Sequence, residues 1–167
     1  MIVLGIDPGY GIVGYGVLES NSYGTYNLID YGAITTPKED CISDRLYEIY
    51  NSMIELIDMY KPDCIAIEEL FFNTNTTTAI NVAQARGAIL IASKKYTNEL
   101  FEYTPLQIKQ AITGNGRAEK RQMQLMVASI LGLEKVPRPD DAADALAVAI
   151  CHLQTNNMIK ENRIWYV

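Results

Sequence analysis

Histidine is almost missing from this chain: its 167 residues include one, His152. A single imidazole leaves no multi-histidine zinc site. His152 falls near the end of the last predicted helix and reads as a helix-end residue, so nothing supports Ser-His-Asp or Cys-His chemistry either. Cysteine is scarce too. Cys41, Cys64 and Cys151 are odd in number, far apart and without CxxC spacing. That pattern excludes a disulfide framework and reads as reduced thiols in a cytoplasmic protein. No apolar run approaches the roughly 20 residues of a membrane helix, so no membrane association is expected. No basic stretch followed by an apolar core and cleavage site opens the chain, and no signal peptide is expected. Basic residues are few in residues 1–85, which carry 3 against 12 acidic side chains.

What is present is ordinary globular material, 49% hydrophobic and 20% charged, enough for one domain with a full core. MIVLGID reads as a short buried strand stopped by Pro8-Gly9. Residues 10–20 and 25–36 alternate as two further strands around an SNSYG turn, giving an antiparallel meander. Apolar residues at Ile42, Leu46, Ile49, Met53, Leu56 and Tyr60 keep helical period until Lys61-Pro62. DCIAIEE is a strand, 76–95 a helix, and LFEYT a short strand. Pro105 opens a helix that GNG breaks, 118–131 forms another, and PRPDD leads into a last helix over 140–155. The order βββ-α-β-α-β-α-α-α predicts an α/β fold: a five-stranded mixed sheet, its first three strands antiparallel, with helices on both faces. The end, NNMIKENRIWYV, is either a frayed tail or a docked segment.

Four acids stand where acids are costly. Asp7 ends the first apolar strand, although DPG alone is a common turn. Glu68 and Glu69 end another strand, and by alternation only one of them faces a given side. Asp140 and Asp141 start the last helix, where the dipole favours them and N-capping explains one of them at least as well as catalysis does. Asp144 sits one turn further, among alanines that permit close packing, and shares a helix face with Asp141. A buried carboxylate is unfavourable unless compensated, and a group of them repels itself unless a cation intervenes. Oxygen donors without histidine suit Mg²⁺, with Mn²⁺ able to substitute. Two such ions about 4 Å apart activate water and stabilise a leaving oxygen in phosphodiester hydrolysis. Asp7 and Asp144 suit shared ligation, with Glu68 and Asp141 each completing one site.

The net charge of −6 conceals a division: residues 86–121 carry 7 basic and 3 acidic side chains. Within them QIKQAITGNGRAEKRQMQ supplies Lys109, Arg117, Lys120 and Arg121, a footprint for phosphates unless it is an ordinary solvated helix face. Gly114 and Gly116 permit amides to face an anion, and the helix starting near Ala118 adds its positive end. Lys120 is close in sequence to the acidic helix and suits stabilisation of transition-state charge. Phe71 and Phe72 lie on a polar loop after Glu68; one suits an anchor, the other a base-stacking role. Ala79, Ala83 and Gly87 form a small-residue stripe, for close packing inside the fold or across a two-fold axis.

Taken together, GIDPG, AIEELFF, QARG, IKQAITGNGRAEKRQ and DAADALAVAI resemble the RuvC family of Holliday-junction resolvases over roughly residues 1–155. The resemblance implies a ribonuclease-H-like domain over 1–156, a tail at 157–167 outside the likeness, and a homodimer. It implies Mg²⁺-dependent paired nicking of four-way DNA junctions at symmetric positions, leaving 5′-phosphate ends, in recombination and repair with the junction-binding RuvA and the RuvB motor. It places catalysis on Asp7, Glu68, Asp141 and Asp144. Lys109 and Lys120 match positions that contact DNA or assist catalysis, and Phe71 an aromatic acting on the junction centre. The acidic net charge departs from what a DNA-binding member needs and bears on affinity, not on the carboxylates. Competing readings are an RNA-processing relative of the YqgF type, a junction binder without cleavage, and an actin-like ATPase, for which 167 residues leave no second domain.

Overall fold

The computed structural model describes residues 1–21, 25–70, 76–97 and 99–155. Strands β1 (Ile2–Asp7), β2 (Ile12–Ser20), β3 (Tyr26–Thr35), β4 (Cys64–Glu68) and β5 (Leu100–Tyr103) form one sheet in the order β3-β2-β1-β4-β5. β1 to β3 pair antiparallel, whereas β4 and β5 join β1 in parallel. Helices α1 (Ile42–Tyr60) and α2 (Thr76–Tyr96) cover one face; α3 (Pro105–Thr113), α4 (Lys120–Ile130) and α5 (Asp140–Gln154) cover the other. The five-stranded mixed sheet with helices on both faces is as the sequence predicts, and each element lies within two residues of its predicted bounds.

Strand alternation builds two cores. In β1, Leu4 and Ile6 pack toward α1 and α2 while Val3 packs toward α5; in β4, Ile65 and Ile67 pack one way, Cys64 and Ala66 the other. The same alternation aims Asp7 and Glu68 at the α5 side. Turn chemistry closes the remaining elements. Thr104 and Gln107 form a reciprocal capping box at the start of α3, and Gly114 ends that helix at φ 70°.

α5 is buried along nearly its whole length, from Ala142 to Leu153 with only Asp144 partly exposed. It approaches the sheet so closely that glycine is required beneath it. A methyl group on Gly5 would stand 2.2 Å from the Ala145 carbonyl oxygen, and one on Gly14 2.0 Å from that of Asp141. Gly14 is the strand partner of Asp7, so this contact sets the start of α5 directly beside Asp7.

His152 lies in the last turn of α5 as expected, and it is also buried. Its Nδ1 lies 2.8 Å from the Tyr103 hydroxyl and its Nε2 3.2 Å from Cys64 Sγ. Burial pushes its pKa down to about 4, so it is a neutral core group tying α5 to β4 and β5.

Gly14→Ala is expected to lower the unfolding free energy by about 1–3 kcal/mol, the usual cost of overpacking. Urea denaturation checks it; an unchanged midpoint contradicts the close approach.

Candidate active site

β1 and β4 run parallel with Ile6 beside Ile67, so Asp7 and Glu68 end adjacent strands side by side. α5 brings Asp144 over them, and α3 and α4 contribute Lys109 and Lys120. These five residues border one cleft of about 420 Å³ at the carboxyl ends of the parallel strands, with Pro105, Ile108, Met123 and Ala147 among its apolar walls. Open α/β sheets bind ligands at this end of their strands.

Electrostatics ties the acids together. Burial, then the charges of Glu68, Asp144 and Asp141, push the Asp7 carboxyl up to about 8, with Lys120 opposing. Burial and Asp144 push Glu68 up to about 7, against Lys109 and Lys120. Lys120 Nζ donates to Asp144 Oδ2 at 2.9 Å and lies 3.8 Å from Asp140 Oδ2. Burial lowers the Lys120 pKa, but Asp144, Asp140 and Asp141 outweigh it and raise the group above its ordinary value.

Asp141 acts on Asp7 through its charge but does not border the cleft. Neither Asp140 nor Asp141 caps α5: Pro139 is the N-cap and no side chain bonds there, so capping explains neither. Asp140 pairs with Arg138 and Lys120 instead. Glu69 also borders the cleft; it lies beyond the end of β4, where alternation no longer assigns a face. Nothing in the strand pattern signalled it.

The basic segment divides. Lys109 and Lys120 reach the cleft; Arg117 and Arg121 are exposed and do not. The loop after α3 offers no amide nest. The Gly114, Asn115, Gly116, Arg117 and Ala118 amides are taken by Gln110 O, Thr113 Oγ1, Gln110 Oε1, Asn115 Oδ1 and Asn115 O. Asn, Thr and Gln side chains close the loop on itself, a local competition that composition alone does not reveal. Phe71 and Phe72 lie outside the described residues, as do residues 157–167.

The donor set fits a hard dication by its chemistry: four carboxylates within electrostatic reach, and the only imidazole buried elsewhere. Among the described residues no three acid, histidine or cysteine side chains stand together tightly enough to hold an ion as they are. Asp144 gives Oδ2 to Lys120; its second carboxylate oxygen is a further acceptor that could face an ion.

A five-stranded mixed sheet with carboxylates at the ends of its central strands and on a closely packed helix defines an α/β fold of the ribonuclease-H type. The family profile for crossover junction endodeoxyribonuclease RuvC matches residues 3–152. A crossover junction endodeoxyribonuclease RuvC of Alkaliphilus metalliredigens is 54% identical over 157 residues, covering 94% of this chain and 95% of that protein. The solved RuvC of Thermus thermophilus is 36% identical with a TM-score of 0.87, covering 95% and 96%. The T. thermophilus RuvC solved with a Holliday junction substrate gives 35% and 0.88, again covering 95% and 96%. This chain belongs to the RuvC family.

The raised acids have a pH consequence. Asp7 ionises near 3.8 when unfolded and near 8 when folded. A group raised this way favours the fold while protonated, and the advantage is lost as pH rises from the lower value through the upper. In EDTA, Asp7→Asn should therefore melt above wild type by a margin that widens from pH 5 to pH 8. Mg²⁺ should narrow it by stabilising wild type alone. Differential scanning calorimetry decides; a pH-independent margin contradicts the burial of Asp7 among acids.

Proposed function

We propose that this chain is a structure-selective endonuclease that resolves four-way DNA junctions in the cytoplasm, during recombination and repair, by paired symmetric nicking. The observation that carries the reading is the cleft itself: Asp7, Glu68 and Asp144 converge with Lys109 and Lys120 around a space open to a phosphodiester. Family membership and the junction held by the T. thermophilus RuvC support the substrate. Residues 1–156 form the nuclease domain, and 157–167 are a tail.

Asp7, Glu68, Asp141 and Asp144 would hold Mg²⁺, two ions per site, with Mn²⁺ able to replace it. When bound, the ions supply the charge that activates water and offsets the leaving oxygen, which departs to leave a 5′-phosphate. The protein's own groups do the rest. Lys120 moves from Asp144 to a non-bridging phosphate oxygen, where its charge is worth most as the transition state forms. Lys109, from α3, fixes the strand. Arg117 and Arg121 lie outside the cleft and engage the backbone on either side of the scissile phosphate. Phe71 stacks at the opened junction centre.

Two equal sites on a two-fold dimer match the near two-fold symmetry of a junction. α2 supplies a surface for that dimer. Ile80 and Ile91 are 68% and 66% exposed, on the same side as exposed Ala83, and a methyl group on Gly87 would meet no atom of the described residues within 4 Å. The small-residue stripe thus borders solvent in the single chain. RuvA and RuvB are the expected partners.

On a synthetic mobile junction, cleavage should be paired, symmetric, confined to the junction and abolished by EDTA. Asp7→Asn and Asp144→Asn should each slow it by at least about 10³-fold, the several kcal/mol a bound metal contributes, while junction binding persists. Cutting of an RNA hairpin alone, or wild-type turnover by either variant, overturns the reading. Separately, Ile80→Asp with Gly87→Arg should turn a dimer into a monomer in sedimentation and uncouple the two nicks. An unchanged sedimentation coefficient rejects α2 as the seam.

A further inference from the structure

A second recess, of about 520 Å³, adjoins the cleft and shares Lys120 with it. Its other walls are Arg121, Gln124 and Leu125 from α4, and Val136 and Arg138 from the segment before α5. Lys120, Arg121, Gln124 and Leu125 follow one another at i, i+1, i+4 and i+5, so a single helix face presents them. Three cations therefore border one concavity in a chain whose net charge is −6.

Gln124 marks the recess as more than a charged surface. The residue is only 9% exposed, and its amide nitrogen is buried without a hydrogen-bond partner among the described residues. A buried donor left unpaired is unfavourable, and each such group in a native protein calls for an explanation, a water, an ion or a ligand among them. The terminal torsion of glutamine is soft, so the amide turns toward the recess at little cost. Arg138, its side chain 73% exposed, is held by Asp140, and Lys120 is shared between Asp140 and Asp144. Arg121 forms no ion pair among the described residues. Two guanidinium groups and a donor-only amide nitrogen call for an anion with several acceptor oxygens.

We propose that the Arg121–Gln124–Arg138 recess binds a phosphodiester of the same DNA strand whose neighbouring phosphate enters the cleft, with Lys120 at the junction of the two. The inference rests on the nuclease reading for the identity of the strand. It makes α4 a rail along which the strand is registered, so that the scissile phosphate is placed by its neighbour as well as by the carboxylates. Asp140 holds Arg138 until DNA arrives, and the phosphate replaces it.

The test is junction binding by the full chain in EDTA, where nothing is cut, measured across a salt series. Arg138→Gln should reduce the slope of log K against log salt by about 0.9, the value of one phosphate contact. Gln124→Met keeps the volume and removes the unpaired donor. It should leave the slope unchanged, weaken binding by about tenfold, and raise the melting temperature by roughly 2–4 °C. That opposed pair of changes separates a binding group from a structural one. Slope and affinity unchanged in both variants, with wild type binding, overturn the recess. Stabilisation of wild type by inorganic phosphate, lost in Arg138→Gln while the junction slope stays unchanged, overturns it as a strand site and leaves a small-anion site. The nuclease reading is scored apart: a junction bound with the predicted slopes but never cut in Mg²⁺ sinks that reading and keeps the recess.

Discussion

Where α5 crosses Gly5 and Gly14 there is no room for a side chain: at Gly14 a single methyl group would lie 2.0 Å from the Asp141 carbonyl. Backbone lies on backbone, and everything in the cleft follows from it. Asp141 and Asp144 come within reach of Asp7 because the glycines remove the side chains that would otherwise hold the helix off the sheet. The alanines of DAADALAVAI complete the contact from the helix side. They leave the core on this face thin, and the bulk comes from further along, where Leu146, Ile150, Phe101 and Tyr103 pack.

The fold concentrates its electrostatic conflict in one place. Two complete apolar cores flank the sheet, and against them the protein sustains carboxyls raised to about 8 and about 7. Lys109 and Lys120 offset part of that repulsion. Local rules of stability are broken where function needs them broken, and ordinary packing elsewhere compensates.

Much of this was legible in the chain. Asp7 and Glu68 could be aimed from strand alternation alone, since period-2 patterning of IVLGID and CIAIE leaves little freedom. The Asp141–Asp144 spacing on an alanine-rich helix was equally readable. What escaped depended on neighbours distant in sequence or on chain ends. Glu69 faces the cleft because its strand has stopped. The helix-end position of His152 was legible, but its burial was not, because its partners, Cys64 and Tyr103, come from strands 88 and 49 residues away. The GNG loop looked open to anions, but five side-chain and backbone acceptors within the same turn satisfy it. The split of the basic run, Lys109 and Lys120 inward and Arg121 to the next recess, is set by how α3 and α4 dock on α5.

The bond between Lys120 and Asp144 gives the site a form of reciprocity. Asp144 gives Oδ2 to Lys120, and on the nuclease reading an ion at the same carboxylate would compete with Lys120 for its charge. A phosphate that draws Lys120 away exposes a carboxylate, and an ion that takes the carboxylate releases a lysine. On the nuclease reading DNA and metal, though they would occupy different atoms, would favour each other's arrival, and by linkage the factor by which one tightens the other would be the same in both directions. On that reading a chain with a −6 charge would gain affinity for a polyanion as its own acids are neutralised, so that metal at the acids and DNA in the cleft would reinforce each other.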